Sequence, residues 1–352
     1  MNGLRGKRDP VVAIVGATGA VGREFLALFE ERALEHGELR LLASARSAGG
    51  EIAYRGRAHT VRALSREALE GVDLALFSAG GAVSKEYAPI ASEMGAVVVD
   101  NSSAFRMDPG VALVVPEVNG ALLDGIGEGG AIIANPNCST IILMLALHPL
   151  RERFGIERAI VSTYQAASGA GAAAMEELRS QTRTVLDGGA PEPKVFPEVC
   201  AFNVFSHNSK VDEATGRNVE EQKMIDEVRK IWGDDSVRIS ATCIRVPTLR
   251  AHCESVHVML GNAAGVDEVR RVLADAPGVE LVDDRAGNRF PTSLRASGKD
   301  AVLVGRVRVA GDAATDGAGW ARSFELFIAG DQIRKGAALN AIQIGERLLG
   351  RA

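Results

Sequence analysis

The chain has 352 residues, 46% of them hydrophobic and 5% aromatic, with 39 glycines and a formal net charge of −5. That length accommodates two domains with separate cores, and the acidic balance lacks the basic patch of a nucleic-acid binder. No apolar run approaches the length of a membrane span.

Met1–Pro10 carries basic residues without the apolar stretch of a secretory leader. The cysteines at 138, 200, 243 and 253 form neither a C-x-x-C pair nor a dense framework, so free thiols in a cytoplasmic setting are expected. In chain order, Val11–Val15 reads as a buried strand and Val21–Glu35 as a helix with Phe25, Leu28 and Phe29 on one side. Leu39–Ala43, Leu74–Phe77 and Ala96–Val99 read as strands, with a helix over Ala82–Met94 between the last two. This alternation predicts right-handed βαβ units and a mostly parallel sheet, a Rossmann-like α/β domain. The strand-like run Ala131–Ala134 precedes a turn, and Ser139 and Thr140 open a buried helix carrying Ile141–Leu147.

Beyond Leu150 the rhythm changes. Longer strands are predicted at Ile160–Tyr164, Val237–Val246, Ser255–Leu260, Ala301–Val309 and Phe324–Ala329, with helices near 172–186 and 219–232. That is an α+β domain on an antiparallel or mixed sheet. Asp187–Asn218, rich in Gly, Pro and Asn, reads as a long excursion of the kind that forms lids or subunit contacts. The amphipathic helix Ala337–Leu349 is expected to return to the first domain. The domain boundaries are therefore set at 1–137 with 336–352, and 138–335.

Gly16, Gly19 and Gly22 follow the first strand and open the first helix. Gly16 permits the tight turn, Gly19 lets a pyrophosphate approach the backbone, and Gly22 lets helix pack on strand. The second strand runs into Ser44-Ala45-Arg46-Ser47, where a site selective for NAD would carry an acid. Arg46 between two hydroxyls suits a 2′-phosphate, so NADP is expected.

Cys138 stands in Asn135-Pro136-Asn137-Cys138-Ser139-Thr140. Pro136 disfavours helix at Asn135, so the chain turns there. The sulfur then lies near a helix N-terminus, where free N–H groups and the macrodipole favour a thiolate. Most free cysteines are simply small buried hydrophobes. Several further candidates lie at predicted strand ends: Arg106 beyond the Ala96–Val99 strand, Gln165 before the turn Ser168-Gly169-Ala170-Gly171, and Arg245 and His252 bracketing Val246-Pro247-Thr248-Leu249. Glu220 and Lys223 share a helix face.

Together these stretches resemble the aspartate-semialdehyde dehydrogenase family over essentially the whole chain. The matching blocks are GATGAVG at 16–22, LLASARSAG at 41–49, FSAGG at 77–81, DNSSAFRMD at 100–108, VPEVN at 115–119 and NPNCST at 135–140. They continue with STYQAASGAG at 162–171, FN at 202–203, EEQKM at 220–224, RVPTLRAHCES at 245–255 and KGAALNAIQI at 335–344.

The resemblance implies NADPH-dependent reductive dephosphorylation of 4-phospho-L-aspartate to L-aspartate 4-semialdehyde, feeding lysine, diaminopimelate, threonine, methionine and isoleucine synthesis. It implies Cys138 as the nucleophile that forms an acyl-thioester, His252 as acid/base and Gln165 as the group orienting substrate and thiol. Arg245 is then the clamp on the substrate α-carboxylate and Glu220 the partner of its ammonium, while Arg106, Lys223 and Asn137 hold phosphate. Either Glu220 or Glu221 faces the substrate; Glu220 is chosen because it shares a face with Lys223. Gly16, Thr18, Gly19, Ala20, Val21, Gly22, Ser44, Arg46, Ser47, Ser78, Ser168, Gly169 and Asn340 are the implied NADP(H) contacts. No metal is required, and Cys243, His252 and Cys253 lack zinc-site spacing. The family is usually dimeric and sometimes tetrameric, with no nucleic-acid or membrane partner. Two alternatives are N-acetyl-gamma-glutamyl-phosphate reductase and a non-catalytic NADP-binding sensor. The first usually has Gly where this chain has Asn137 and Tyr where it has Ser139; the second would have lost Cys138 or His252. The segment Phe205–Asn218 departs from the family pattern, leaving its role open.

Overall fold

The computed structural model describes residues 4–126, 129–316 and 319–351. The chain divides into two compact units, Met1–Asn137 with Ala337–Ala352, and Cys138–Gly336.

The first unit contains strands β1 (Val12–Val15), β2 (Leu39–Ala43), β3 (Glu51–Tyr54), β4 (Arg57–Thr60), β5 (Arg62–Ala63), β6 (Leu74–Phe77), β7 (Val97–Asp100), β8 (Ala112–Leu113) and β9 (Ala131–Ala134), and helices α1 (Ala20–Glu31), α2 (Gly81–Glu93) and α3 (Pro116–Asn119). Seven strands form one sheet in the order β5-β2-β1-β6-β7-β9-β8, and every pair in it is parallel. β1, β6 and β7 are buried at every position, as strands covered on both faces must be. One core lies on the side of Phe25, Leu28 and the C-terminal helix residues Ile342, Ile344 and Leu348. The other, including Leu69, Phe77, Ala88 and Ala91, lies opposite. The hairpin β3–β4 stands outside the large sheet. α1 ends at Glu31, short of the expected Glu35, and the C-terminal α-helix starts at Leu339 after a π-turn over Arg334–Ala338.

The second unit contains α4 (Cys138–Phe154), β10 (Ile156–Gln165), α5 (Ala172–Leu186), β11 (Phe205–Ser206), α6 (Val219–Trp232), β12 (Arg238–Arg245), β13 (His252–Ala264), α7 (Val266–Ala274), β14 (Val279–Leu281), α8 (Ser293–Ala296), β15 (Val302–Val309) and β16 (Ala321–Gly330). Its sheet runs β11-β12-β10-β13-β16-β15-β14. The β12–β10 and β15–β14 pairs are parallel and the other four antiparallel. β10 shows why the sheet has two different faces. Ala159, Val161, Thr163 and Gln165 are buried, whereas Ile160 and Tyr164 between them are exposed, the alternation of a sheet covered on one side. α4 is buried without a break from Ser139 to Leu147, and its exposed charges, Glu152 and Arg153, lie in its last turn. α6 begins with a reciprocal cap between Asn218 and Glu221 and ends at Gly233 in the left-handed region. α7, anchored by buried Val269 and Leu273, was not expected from the sequence.

Candidate active site

In the first unit the turn after β1 is built by glycines that nothing else replaces. Gly16 has φ +92°, and a Cβ there would lie 2.7 Å from the Ser78 carbonyl oxygen. A Cβ on Gly22 would lie 2.3 Å from the Gly16 oxygen. α1 thus packs directly on the turn, and its start has neither a side-chain cap nor an acid in its first turn. This is a cradle for an anion held by N–H groups. Thr18, Gly19, Ala20 and Val21 line that start. Ser44, Arg46 and Ser47 form a short 3-10 turn at the carboxyl end of β2, with Arg46 exposed. Asn340 is fully buried, donating from Nδ2 to the Val114 oxygen at 2.9 Å and to Asn135 Oδ1 at 2.7 Å.

Arg106 is also nearly buried. Its Nε donates to the Asn135 oxygen at 2.9 Å and its Nη2 to the Asn101 oxygen at 2.8 Å, which fixes the guanidinium at the ends of β7 and β9. Asp100, which the sequence reading passed over, braces the same loop by accepting from Ser84 Oγ, Ser102 N–H and Ser102 Oγ. Asn137 is nearly buried and closes this unit.

The second unit opens on Cys138, the first residue of α4 and one residue earlier than the expected helix start. Gly336 packs against it so closely that a Cβ there would lie 2.9 Å from that of Cys138. The sheet then delivers three strand ends together. β10 ends at Gln165, in parallel register with Arg245 at the end of β12, and β13 starts at His252, one position beyond the Tyr164–Cys253 pair. Gln165 is the hub: its Nε2 lies 3.1 Å from Ser139 Oγ, 3.3 Å from Thr163 Oγ1 and 3.4 Å from Glu220 Oε1.

Lys223 Nζ lies 3.4 Å from Glu220 Oε2. Glu221 instead caps α6, accepting from Asn218 N–H at 2.9 Å and Cys243 N–H at 3.0 Å. Of the two acids, it is thus Glu220 that joins the polar cluster.

His252 accepts the Ala166 N–H on Nδ1 at 3.0 Å. The neutral ring therefore carries its proton on Nε2, an atom with no hydrogen-bond partner among the described residues. Burial, followed by the charge of Arg245, lowers the His252 pKa to about 3, so the ring is neutral at working pH. Gly169 lies against it: a Cβ there would be 3.1 Å from His252 Nε2 and 3.5 Å from Arg245 Nη1. Ser168 accepts from Gln332 Nε2. The other three cysteines are buried, and burial pushes each of their thiols upward, Cys253 to about 12.

Arg245, 2% exposed, carries a collar that the sequence reading did not find. Nη1 donates to the Ala166 oxygen at 2.6 Å. Nη2 lies 2.9 Å from His207 Nε2 and 3.1 Å from Asn208 Oδ1, and Cζ sits 5.1 Å from the centroid of the Phe196 ring. Burial lowers the His207 pKa to about 4. The one signal in the sequence was the departure of Phe205–Asn218 from the family pattern.

A glycine cradle beside a parallel sheet, and a helix-start cysteine in a unit that groups Gln165, Glu220, Arg245 and His252, define an oxidoreductase of the semialdehyde dehydrogenase class. Two family models match accordingly: the semialdehyde dehydrogenase NAD binding domain over residues 11–126 and the semialdehyde dehydrogenase dimerisation domain over 147–335. Within that class, the chain belongs to the aspartate-semialdehyde dehydrogenase family. It is 47% identical over 345 residues to the aspartate-semialdehyde dehydrogenase of Prochlorococcus marinus, covering 98% of this chain and 97% of that one. The solved structure of Vibrio cholerae aspartate semialdehyde dehydrogenase II complexed with ASA superposes with a TM-score of 0.89 at 42% identity, covering 98% and 99% of the two chains. The same fold recurs in the Candida albicans aspartate semialdehyde dehydrogenase solved with NADP, at 23% identity and a TM-score of 0.71 over 97% and 98%.

Proposed function

We propose that the protein interconverts 4-phospho-L-aspartate and L-aspartate 4-semialdehyde through a thioester on Cys138, using NADP(H), within amino-acid biosynthesis. The observation that carries this reading is the Gln165 hub, which ties the residue after Cys138 to Glu220 while its register partner Arg245 and its neighbour His252 complete the cluster.

In the biosynthetic direction the Cys138 thiolate, favoured by the start of α4, attacks the acyl carbon. The C–O bond to phosphate breaks and the phosphate leaves with its electron pair. Cations must neutralise that leaving group, the role assigned to Arg106 and Lys223 with Asn137. Arg245 holds the α-carboxylate, for which a planar fork is better suited than a point charge, and Glu220 holds the ammonium. His252 holds its proton at Nε2 and donates it in a hydrogen bond to the oxygen that becomes anionic. With Ala166 N–H on Nδ1, the geometry supports the donor half of the acid/base role expected of His252. Gln165 orients substrate and thiol. The glycine cradle, Arg46 with Ser44 and Ser47, Ser78, Ser168, Gly169 and Asn340 are assigned to NADP(H), which when bound supplies the hydride that reduces the thioester. Collapse of the resulting hemithioacetal frees the aldehyde and restores the thiolate.

The unit Met1–Asn137 with Ala337–Ala352 is read as the NADP-binding domain and Cys138–Gly336 as the catalytic and dimerisation domain. The exposed sheet face of Ile160 and Tyr164 is the surface proposed to meet a second copy. A cytoplasmic setting is part of the same reading, supported by the free cysteines; no helix among the described residues is long and apolar enough to cross a membrane.

The test is phosphate-dependent NADP reduction with L-aspartate semialdehyde, run beside Cys138→Ala and N-acetyl-glutamate semialdehyde. Turnover of the first aldehyde alone, abolished in Cys138→Ala, is expected. Turnover that survives Cys138→Ala refutes the thioester, and turnover of the acetylated aldehyde alone moves the protein to the sister activity.

A further inference from the structure

Arg245 has five N–H donors, four of them on Nη1 and Nη2. The Nη1 group is turned to backbone, with the Ala166 oxygen at 2.6 Å and the Gln165 oxygen at 3.5 Å. The Nη2 group is turned to two side chains from the excursion, His207 and Asn208. Nε has no hydrogen-bond partner among the described residues. A guanidinium donates only, so His207 Nε2 is the acceptor toward Arg245. On the other side of the ring, Nδ1 lies 3.1 Å from Ser209 Oγ and 3.2 Å from the Ser209 backbone nitrogen, and the same hydroxyl receives the Glu220 N–H at 3.2 Å. The imidazole is thus locked between the carboxylate clamp and the first turn of the helix that carries Glu220.

The segment is held there by sheet pairing. Phe205 is in register with Arg245, and the His207 N–H donates to the Cys243 oxygen at 2.9 Å. From below, Phe196 lies under the guanidinium. Phe196 is in turn set by Glu177 on α5, whose carboxylate accepts the N–H groups of Lys194, Val195 and Phe196.

We propose that His207, with Asn208, is a positioning residue of the substrate clamp: it orients Arg245 by accepting from Nη2, and so sets the enzyme's demand for a free α-carboxylate. The inference rests on the functional reading above, which assigns Arg245 to that carboxylate. Because His207 acts through Arg245, its loss affects substrate recognition more than the chemical step.

The test compares His207→Leu, His207→Gln and Asn208→Asp in the full-length enzyme. His207→Leu removes a hydrogen bond to a charged group, and is expected to raise KM for L-aspartate semialdehyde on the order of tenfold. kcat falls less, and KM for NADP, which Arg245 is not assigned to hold, stays within about twofold. His207→Gln returns an acceptor to the same place and recovers most of the loss. Asn208→Asp sets a carboxylate against Nη2 that competes with the substrate's own, so KM rises there too. With 3-aminopropanal, which lacks the α-carboxylate, kcat/KM is the same in wild type and variants. An unchanged KM in His207→Leu and Asn208→Asp, or equal losses on both aldehydes, overturns the proposal. Wild-type turnover of L-aspartate semialdehyde is the control that separates the two ideas. If the wild type turns it over and the variants match it, the positioning role alone fails. If the wild type does not, the functional reading fails and this inference falls with it.

Discussion

Glu254 is a carboxylic acid in a place made for a hydrocarbon. It sits on β13 between Thr163 of β10 and Ile328 of β16 in register, 0% exposed. Neither oxygen has a hydrogen-bond partner among the described residues. Burial pushes its pKa well above the carboxylate range, because an ionised carboxylate there would lose its hydration without compensation. The folded protein therefore holds a proton at Glu254 that the unfolded chain releases above about pH 4.3. With the folded pKa above the unfolded one, the stability linked to this group is fully present below the unfolded value. It is lost as pH rises toward the folded value.

Within that window each pH unit costs about 1.4 kcal/mol. Glu254→Gln keeps the shape and removes the titration. The variant is thus expected to gain on the wild type by about 1.4 kcal/mol per pH unit, starting near pH 4.5 and levelling off at the folded pKa. Denaturant unfolding of both proteins at one protein concentration, from pH 5 to 8, measures this difference; other titrating groups and any association cancel in it. A difference that stays flat across that range refutes the reasoning, since it would mean that Glu254 is ionised in the folded protein.

Three more perturbations test the site and its assembly. Gly169→Ala puts a Cβ 3.1 Å from His252 Cε1 and Nε2 and so displaces the ring proposed as the donor. kcat is expected to fall by at least about tenfold, since misplaced catalytic groups cost heavily, with unfolding changed by less than about 1 kcal/mol; an unaltered kcat would remove His252 from the reaction. Arg46→Asp is expected to raise KM for NADPH much more than for NADH, as loss of a charge-assisted pair to a 2′-phosphate requires; equal effects on the two would take Arg46 out of the cofactor site. Ile160 and Tyr164 are 38% and 37% exposed on the open sheet face, so in the dimer proposed above Ile160→Asp is expected to shift sedimentation toward monomer. A variant that still sediments as a dimer places the interface elsewhere.

How legible each part was follows from where its stabilising contacts lie. The parallel half could be read directly because strands covered on both faces become continuous apolar runs. The turn at Gly16 was also local: its geometry depends on residues within one strand-turn-helix. β13 was harder to place. The expected strand started at Ser255, whereas the real one starts at His252, with Glu254 buried inside it. A charge breaks the apolar alternation that marks a strand, and only the tertiary setting that neutralises it makes the position tolerable. α7 was missed because a nine-residue helix between β13 and β14 needs few apolar positions, here Val269 and Leu273.

The candidate site divides along the same line. Gln165, Arg245 and His252 lie at strand ends, so hydropathy and turn residues located them. His207 meets Arg245 across 38 positions and Phe196 meets it across 49, and no local pattern encodes such contacts. The polar composition of 205–218 shows only that the segment does not pack as a core. Its hydrogen bonds to Arg245 indicate what it does instead. On the proposed assignment of Arg245 to the substrate carboxylate and Cys138 to the chemistry, a clamp built at the end of a strand but finished by a loop keeps its reacting geometry while the loop alters which carboxylate it accepts, so specificity can vary at His207 and Asn208 without rebuilding the chemistry proposed for Cys138.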